Sequence, residues 1–91
     1  MASNISHGMN VQEVKDLGAK LKDVSHSITE MVNLLNGKVN NTSWVGPDAS
    51  KFKNDWWPQH RTHLQNMVRD LDGFGQSALN NASAQETASG Q

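Results

Sequence analysis

The stretch that decides the fold is residues 44–49, Trp-Val-Gly-Pro-Asp-Ala, near the middle of a 91-residue chain. A residue before proline is biased away from the right-handed helical conformation, whereas proline itself suits the first turn of a helix. Asp48 then falls in that first turn, where the helix dipole favours a negative charge. The stretch therefore predicts a turn that is followed at once by the start of a helix.

The segment before this turn has the apolar repeat of a long amphipathic helix. Asn10 followed by Glu13 resembles a capping box and places the start of the helix near residue 10. Gly37 and the polar run 40–43 predict its end. In between, apolar residues recur at alternating steps of three and four, a mean period of 3.5 that is typical of knobs-into-holes packing. They are Val14, Leu17, Leu21, Val24, Ile28, Met31 and Leu35.

The segment after the turn carries a second apolar stripe, with a period near 3.6, and predicts a second helix. Pro58 removes one backbone hydrogen bond, so we predict a bend there, but no break because the stripe keeps its phase. Gly73 and Gly75 weaken the final turns, and the prediction ends this helix at residue 79. The stripe consists of Ala49, Phe52, Trp56, His60, Leu64, Met67, Leu71, Phe74 and Ala78.

Together these signals predict an all-α fold, an antiparallel helix-turn-helix hairpin. The hairpin occupies residues 10–79, with a Trp-x-Gly turn at 44–46, because a short connection makes two helices antiparallel neighbours. Residues 1–9 are expected to be a flexible N-terminal segment. The polar residues 80–91, rich in Ala, Ser and Gln, are expected to be a flexible tail.

A hairpin of this composition has more apolar surface than two helices cover between them. Trp56 and Trp57 project about 100° apart on a helix, so one faces the partner helix and the other faces a second surface. We therefore predict that two hairpins pair into a four-helix bundle. No polar residue occupies an a position in the first helix, which favours a homodimer. The predicted core and dimer residues are Val14, Leu17, Leu21, Val24, Ile28, Met31, Leu35, Phe52, Trp56, Trp57, His60, Leu64, Met67 and Leu71.

Composition argues against several classes of function. The net charge is −1, from 8 basic and 9 acidic residues with no basic cluster, which argues against a nucleic-acid partner and against a regulatory dimer that binds DNA. The chain has no cysteine, so it has neither disulfides nor a thiolate metal site. No window approaches the apolar length of a membrane span, and the first residues do not resemble a cleavable secretory signal. We expect a soluble protein without stable membrane insertion.

The chain contains residue types that occur in active sites, but it lacks the sequence motifs of known catalytic sites. Ser, His and Asp occur, but no nucleophile motif, phosphate-binding loop or carboxylate pair accompanies them, so we expect neither an enzyme nor a cofactor. His60 and His63 have a spacing that suits a shared metal ion, but a third ligand is lacking and we predict no metal site. Because His60 falls on the apolar stripe, its protonation in mildly acidic solution is expected to loosen the dimer.

The Trp44-Val45-Gly46 turn between two amphipathic helices resembles the WXG (Esx, early-secreted-antigen-like) family, whose members have about one hundred residues and are substrates of type VII secretion. The resemblance covers nearly the whole chain. Gly46-Pro47-Asp48-Ala49 with Phe52, and the segment 74–78 (Phe-Gly-Gln-Ser-Ala), look like the actinobacterial branch. The resemblance implies a hairpin that dimerises with itself or with a sister protein. Trp44 and Gly46 would shape the turn, with the indole in the groove at the end of the bundle.

The resemblance also implies export by a secretion ATPase without a cleaved signal, residence in the cytoplasm before export, and no enzymatic activity. The export signal of the family is Tyr-x-x-x-Asp/Glu after the second helix, and this chain has no tyrosine. Glu86 is present, with Ala82 four residues before it, so the signal resides on a partner chain or another residue serves. The leading hypothesis is a small secreted protein that acts by binding. The alternative is a non-exported adaptor that masks the apolar face of a co-secreted helical effector.

Overall fold

The protein is an elongated rod in the part of the chain, residues 5–6 and 8–88, that the computed structural model describes. Its principal extents are 64 × 16 × 16 Å and its radius of gyration is 19.8 Å. A compact domain of this length would have a radius of gyration of about 12 Å. A rod this narrow is only two helices wide, so most side chains that do not lie between the helices face solvent.

Two helical arms form this rod. The first arm is α1, Val11–Asn41. The second arm consists of α2 (Pro47–Lys51), a π-helical turn (Phe52–Trp56) and α3 (Trp57–Ala88), which follow one another without a break. The main tertiary contacts are between α1 and α3. The predicted all-α helical hairpin is therefore confirmed.

The start and the end of α1 follow the local sequence. Asn10 is the N-cap, and its Oδ1 accepts a hydrogen bond from the backbone N–H of Glu13 at 3.1 Å. The helix passes through Gly37 and ends inside the polar run that was predicted to stop it. Beyond its end, Lys53 Nζ donates to the carbonyl oxygens of Thr42 at 2.6 Å and Trp44 at 3.3 Å. A cation is favourable there because the C-terminal end of a helix carries partial negative charge.

A short antiparallel pairing precedes α1. Strand β1, Ile5–Ser6, pairs with strand β2, Met9–Asn10. The expected flexibility of residues 1–9 falls partly on Met1–Asn4 and His7, which lie outside the described residues. The remaining part of the segment has this defined pairing.

The second arm starts where the turn chemistry predicts. Gly46 has a φ of +114°, a backbone conformation that residues with a Cβ rarely adopt, and the helix begins at Pro47. The π-helical turn ends two residues before Pro58, at Trp56, and the N–H of Trp57 bonds to the carbonyl of Phe52, five residues back. Widening the helix in this way accommodates the proline ring, which crowds the preceding turn of an α-helix. Helical structure continues across Pro58, as predicted.

Small side chains hold the two arms together. The most deeply buried positions of the two long helices form a seam, which we define as Gly18, Ser25 and Val32 of α1 with Trp57, Gly75 and Ala82 of α3. Gly18 and Gly75 mark the closest approach, since a Cβ on Gly18 would lie 2.8 Å from the carbonyl oxygen of Gly75. Only three of the seven residues in the 3.5-residue repeat of α1 lie beside this seam. Its members Val14, Leu21 and Ile28 are half-buried, whereas Leu17, Val24, Met31 and Leu35 are exposed.

The second arm is longer than the sequence predicted. The expected helix end at residue 79, followed by a flexible tail, is wrong for residues 80–88, because α3 continues to Ala88. Ala82 is 0 % exposed in the seam, and Glu86 forms an ion pair with Lys15 of α1 at 2.7 Å. Packing against α1 therefore maintains helix in a segment whose composition alone suggests a tail. Residues 89–91 lie outside the described part of the chain.

Candidate interaction surface

In α1, three of the large exposed apolar residues each come immediately before a residue of the seam. One residue corresponds to about 100° of rotation around a helix, so these side chains point about a quarter of a turn away from α3. Their exposure is not caused by the ends of the helix, since they recur along its length. The pairs of exposed and buried neighbours are Leu17 with Gly18, Val24 with Ser25, and Met31 with Val32.

The same offset occurs in α3 and at its start. The exposed apolar residue again comes one position before the residue that faces α1. Because the arms are antiparallel, an equal offset toward the N-terminus in each arm points to the same side of the hairpin. The pairs are Trp56 with Trp57, Met67 with Val68, and Phe74 with Gly75.

The hairpin therefore has one apolar side, which we call the apolar face. Its members are between 41 % and 63 % exposed, although each is a large hydrophobic residue. Exposed apolar patches often mark interaction sites, which makes this side the candidate interaction surface. The apolar face consists of Leu17, Val24, Met31, Leu35, Trp56, Met67 and Phe74.

A series of neighbouring aromatic rings extends this face to the turn. Ring centroids are 5.6 Å apart between Trp44 and Phe52, and 5.0 Å apart between Phe52 and Trp56. The ring centroids of Trp56 and His60 are 4.1 Å apart, and those of His60 and His63 are 6.2 Å apart. We call these five residues the aromatic ladder. Adjacent rings hold one another in place, so the ladder presents a pre-ordered surface.

An open groove of about 240 Å³ lies at the turn end of the ladder. Trp44 and Phe52 form one wall, and Leu35 of the apolar face contributes to the other. The ammonium group of Lys53 is held by backbone carbonyls at this end, which ties the loop that carries Trp44 to the second arm. The full lining is Leu35, Lys38, Val39, Thr42, Trp44, Phe52 and Lys53.

The opposite side of the hairpin is polar, and ion pairs link its two arms. Lys22 Nζ lies 3.3 Å from Asp72 Oδ1 and donates to Gln76 Oε1 at 3.0 Å. Lys15 and Glu86 form a second ion pair between the arms. These polar groups are paired within one hairpin.

The two adjacent tryptophans take the two different orientations that the sequence predicted. Trp57 is 7 % exposed, and its indole N–H donates to Asn36 Oδ1 at 3.0 Å, which satisfies its polar atom inside the seam. Trp56 lies on the apolar face. Of the other predicted core and dimer residues in the second arm, Phe52, Leu64 and Leu71 are half-buried, and His60 and Met67 are exposed.

The two positions considered for export, Ala82 and Glu86, both contribute to the hairpin itself, through the seam and the ion pair with Lys15. In the described part of the chain, no three His, Cys, Asp or Glu side chains are placed to hold a metal ion. None of the helices in that part is long and apolar enough to cross a membrane.

Sequence reasoning missed the small residues of the seam. Gly18 and Ser25 are seven residues apart, as are Gly75 and Ala82, which is the spacing of one helix face. That repeat of small residues is a signal for close helix packing, but a search for apolar residues passes over it. Asn36, the partner of the buried indole, carries no comparable signal.

Comparisons of the chain with protein-family models, with curated proteins and with solved structures find no match in any of the three.

Proposed function

We propose that this protein acts by binding, and that two hairpins pair through their apolar faces into a four-helix bundle. The observation that carries the proposal is that, apart from Leu34, the large exposed apolar residues of the helices in both arms lie on the same side. A second hairpin laid on that side would cover both stripes at once, which completes the two-layer core of an all-α domain.

The expected partner is a second copy of the chain. Pairing of identical faces by a two-fold axis is the most common form of oligomer. The half-buried residues Val14, Leu21 and Ile28 lie between the seam and the apolar face. A second hairpin would bury them further, so the residues predicted for core and dimer would share one continuous interior.

Pairing is tested by the solution mass over a concentration series, using light scattering after size-exclusion chromatography. We expect a mass near twice that of the 10.0 kDa chain. Val24→Glu places a charge on the apolar face and is expected to give a monomer, because burying an unpaired charge is strongly unfavourable. Ala19→Glu is the matched control: Ala19 is also an exposed apolar residue of α1, but it follows the seam residue Gly18 and so points to the polar side. A wild-type monomer at every concentration would contradict the proposal.

We further propose that the hairpin belongs to the WXG family and leaves the cell by type VII secretion. Support comes from the Trp44-Val45-Gly46 turn between two long helices and from the chain length. Because Ala82 and Glu86 are engaged within the hairpin, the recognition signal for the ATPase would come from a partner chain or from another surface. If another surface of this chain carries the signal, we propose that it is the aromatic ladder.

Export is tested in the native host by comparing culture supernatants of strains with and without the secretion ATPase. Recovery of the chain only when the ATPase is present supports export. Retention of the chain in the cytoplasm of both strains would overturn it. A cytoplasmic marker protein measured in the same supernatants controls for lysis.

The second candidate function is a non-exported adaptor that masks the apolar face of a co-secreted helical effector. The engagement of Ala82 and Glu86 within the hairpin favours it, since an adaptor needs no export signal. Its signature would be retention in the cytoplasm together with a stable one-to-one complex with the effector. The Val24→Glu variant should abolish that complex, whereas Ala19→Glu should retain it.

A further inference from the structure

We propose that Met31 and Met67 form an oxidation site at the centre of the apolar face, and that their oxidation by a hydroperoxide prevents two hairpins from pairing. The inference rests on the proposed function, because it requires the apolar face to be the pairing surface.

Both thioethers are accessible in the unpaired hairpin, where each methionine is 56 % exposed. Met31 comes one residue before Val32 of the seam, and Met67 comes one residue before Val68, so both point to the apolar side. Exposure matters because the oxidation of methionine requires contact between the sulfur and the oxidant.

The two methionines lie on different arms but on the same side of the hairpin. The hydrogen bond between Asn36 and Trp57 and the ion pair between Lys22 and Asp72 show which residues of the two arms are level. By that register Met31 lies closer to the turn than Met67, with a difference in height of about 7 Å, or somewhat more than one helical turn. Packed helix axes are about 8–10 Å apart, so both side chains belong to the middle part of one apolar side without being level with each other.

Their position along the rod is central. By the same register, Leu17 and Phe74 lie toward the open end of the hairpin, and Leu35 and Trp56 lie toward the turn. Polar groups at the centre of an interface are the most costly, because the surrounding contacts exclude water from them. The centre of the apolar face is therefore where a chemical change would affect pairing most.

The reaction needs no reactant other than the hydroperoxide. A sulfur lone pair attacks one peroxide oxygen, the O–O bond breaks, and sulfur loses two electrons. With hydrogen peroxide, the second oxygen leaves as hydroxide and takes up the proton from the transferred oxygen, giving one sulfoxide and one water. Each modified side chain changes from a flexible apolar group into a polar one that accepts hydrogen bonds.

A paired bundle would bury four such sulfoxides, two from each copy, on a surface built from leucine, valine and aromatic side chains. Buried acceptors without a donor are strongly unfavourable, so we expect the dissociation constant of the pair to rise about a hundredfold or more. The hairpin itself is expected to stay folded, since neither methionine lies in the seam.

The experiment uses the full chain, treated with hydrogen peroxide at a dilution where the hairpins are unpaired. Sulfoxides are located by peptide mass spectrometry, and the dissociation constant is then measured by sedimentation. The test variant carries Met31→Leu and Met67→Leu together, which keeps the face apolar but not oxidisable. Met9→Leu is the matched control, because Met9 is half-buried in β2, outside the apolar face.

We expect the oxidised wild type and Met9→Leu to remain helical by circular dichroism and to lose pairing, while the double variant pairs as before. Treatment with methionine sulfoxide reductases should restore pairing of the wild type. Unchanged pairing with sulfoxides present at both positions would overturn the oxidation site and leave the pairing proposal intact. Untreated protein that never pairs would overturn both.

Discussion

The seam and the apolar face lie one residue apart in sequence, and they differ first of all in the size of their side chains. The seam contains glycine, serine and alanine at its closest contacts, as in the approach of Gly18 to Gly75. The apolar face carries leucine, methionine and aromatic residues. Small residues let two backbones approach closely, which leaves the large side chains at the edge of the contact. Within this hairpin, small side chains mark where the two arms approach most closely, and large exposed apolar side chains lie at the edge of that contact.

The largest expected effect separates the two adjacent tryptophans. Trp57→Ala should destabilise the hairpin by about 3–5 kcal/mol, because it leaves a cavity in the seam and an unpartnered Asn36. Trp56→Ala removes only ring contacts on the surface and should cost about 1 kcal/mol of hairpin stability. Its main effect should be on pairing. Urea denaturation at a concentration below pairing measures the first quantity, and equal losses for the two variants would contradict the assignment of seam and face.

A second pair of variants tests the close approach of the arms. Gly75→Ala should destabilise the hairpin by about 1–3 kcal/mol, because the new Cβ would lie 2.8 Å from the carbonyl oxygen of Gly18. Gly73→Ala adds the same atom in the same helix where nothing lies within 4 Å. It should stabilise the helix by up to about 1 kcal/mol. Thermal unfolding of the two variants compares them directly, and the same sign of change in both would refute the close contact.

The smallest effect is expected on the polar side. Lys15→Ala removes the ion pair with Glu86, whose two side chains are each 36 % exposed. Exposed pairs of this kind contribute less than about 1 kcal/mol, and salt screens them further. Denaturation in low and high salt should give nearly the same stability for the variant. A loss above about 2 kcal/mol would mean that the end of α3 depends on this pair rather than on Ala82 in the seam.

Local signals in the sequence predicted where α1 begins and ends and where the second arm begins. Capping at Asn10, the turn at residues 44–49 and the continuity of the second arm through Pro58 are local signals, and the structure agrees with each. The excess of apolar residues over what two helices can cover could also be predicted from the sequence, because an apolar repeat at steps of three and four residues depends only on the geometry of a single helix.

The rotation of each helix about its axis follows from tertiary packing rather than from the local sequence. That packing placed Leu17, Val24 and Met31 outside the seam, and it brought them to the same side as the exposed residues of α3. It also extended the second arm to Ala88, since contact with α1 stabilises helix where composition alone predicts a tail. The physical reason is that rotation and extent depend on how closely two backbones approach. Here that distance is set by Gly18 and Gly75, which lie on different arms, so the periodicity of a single helix does not predict it.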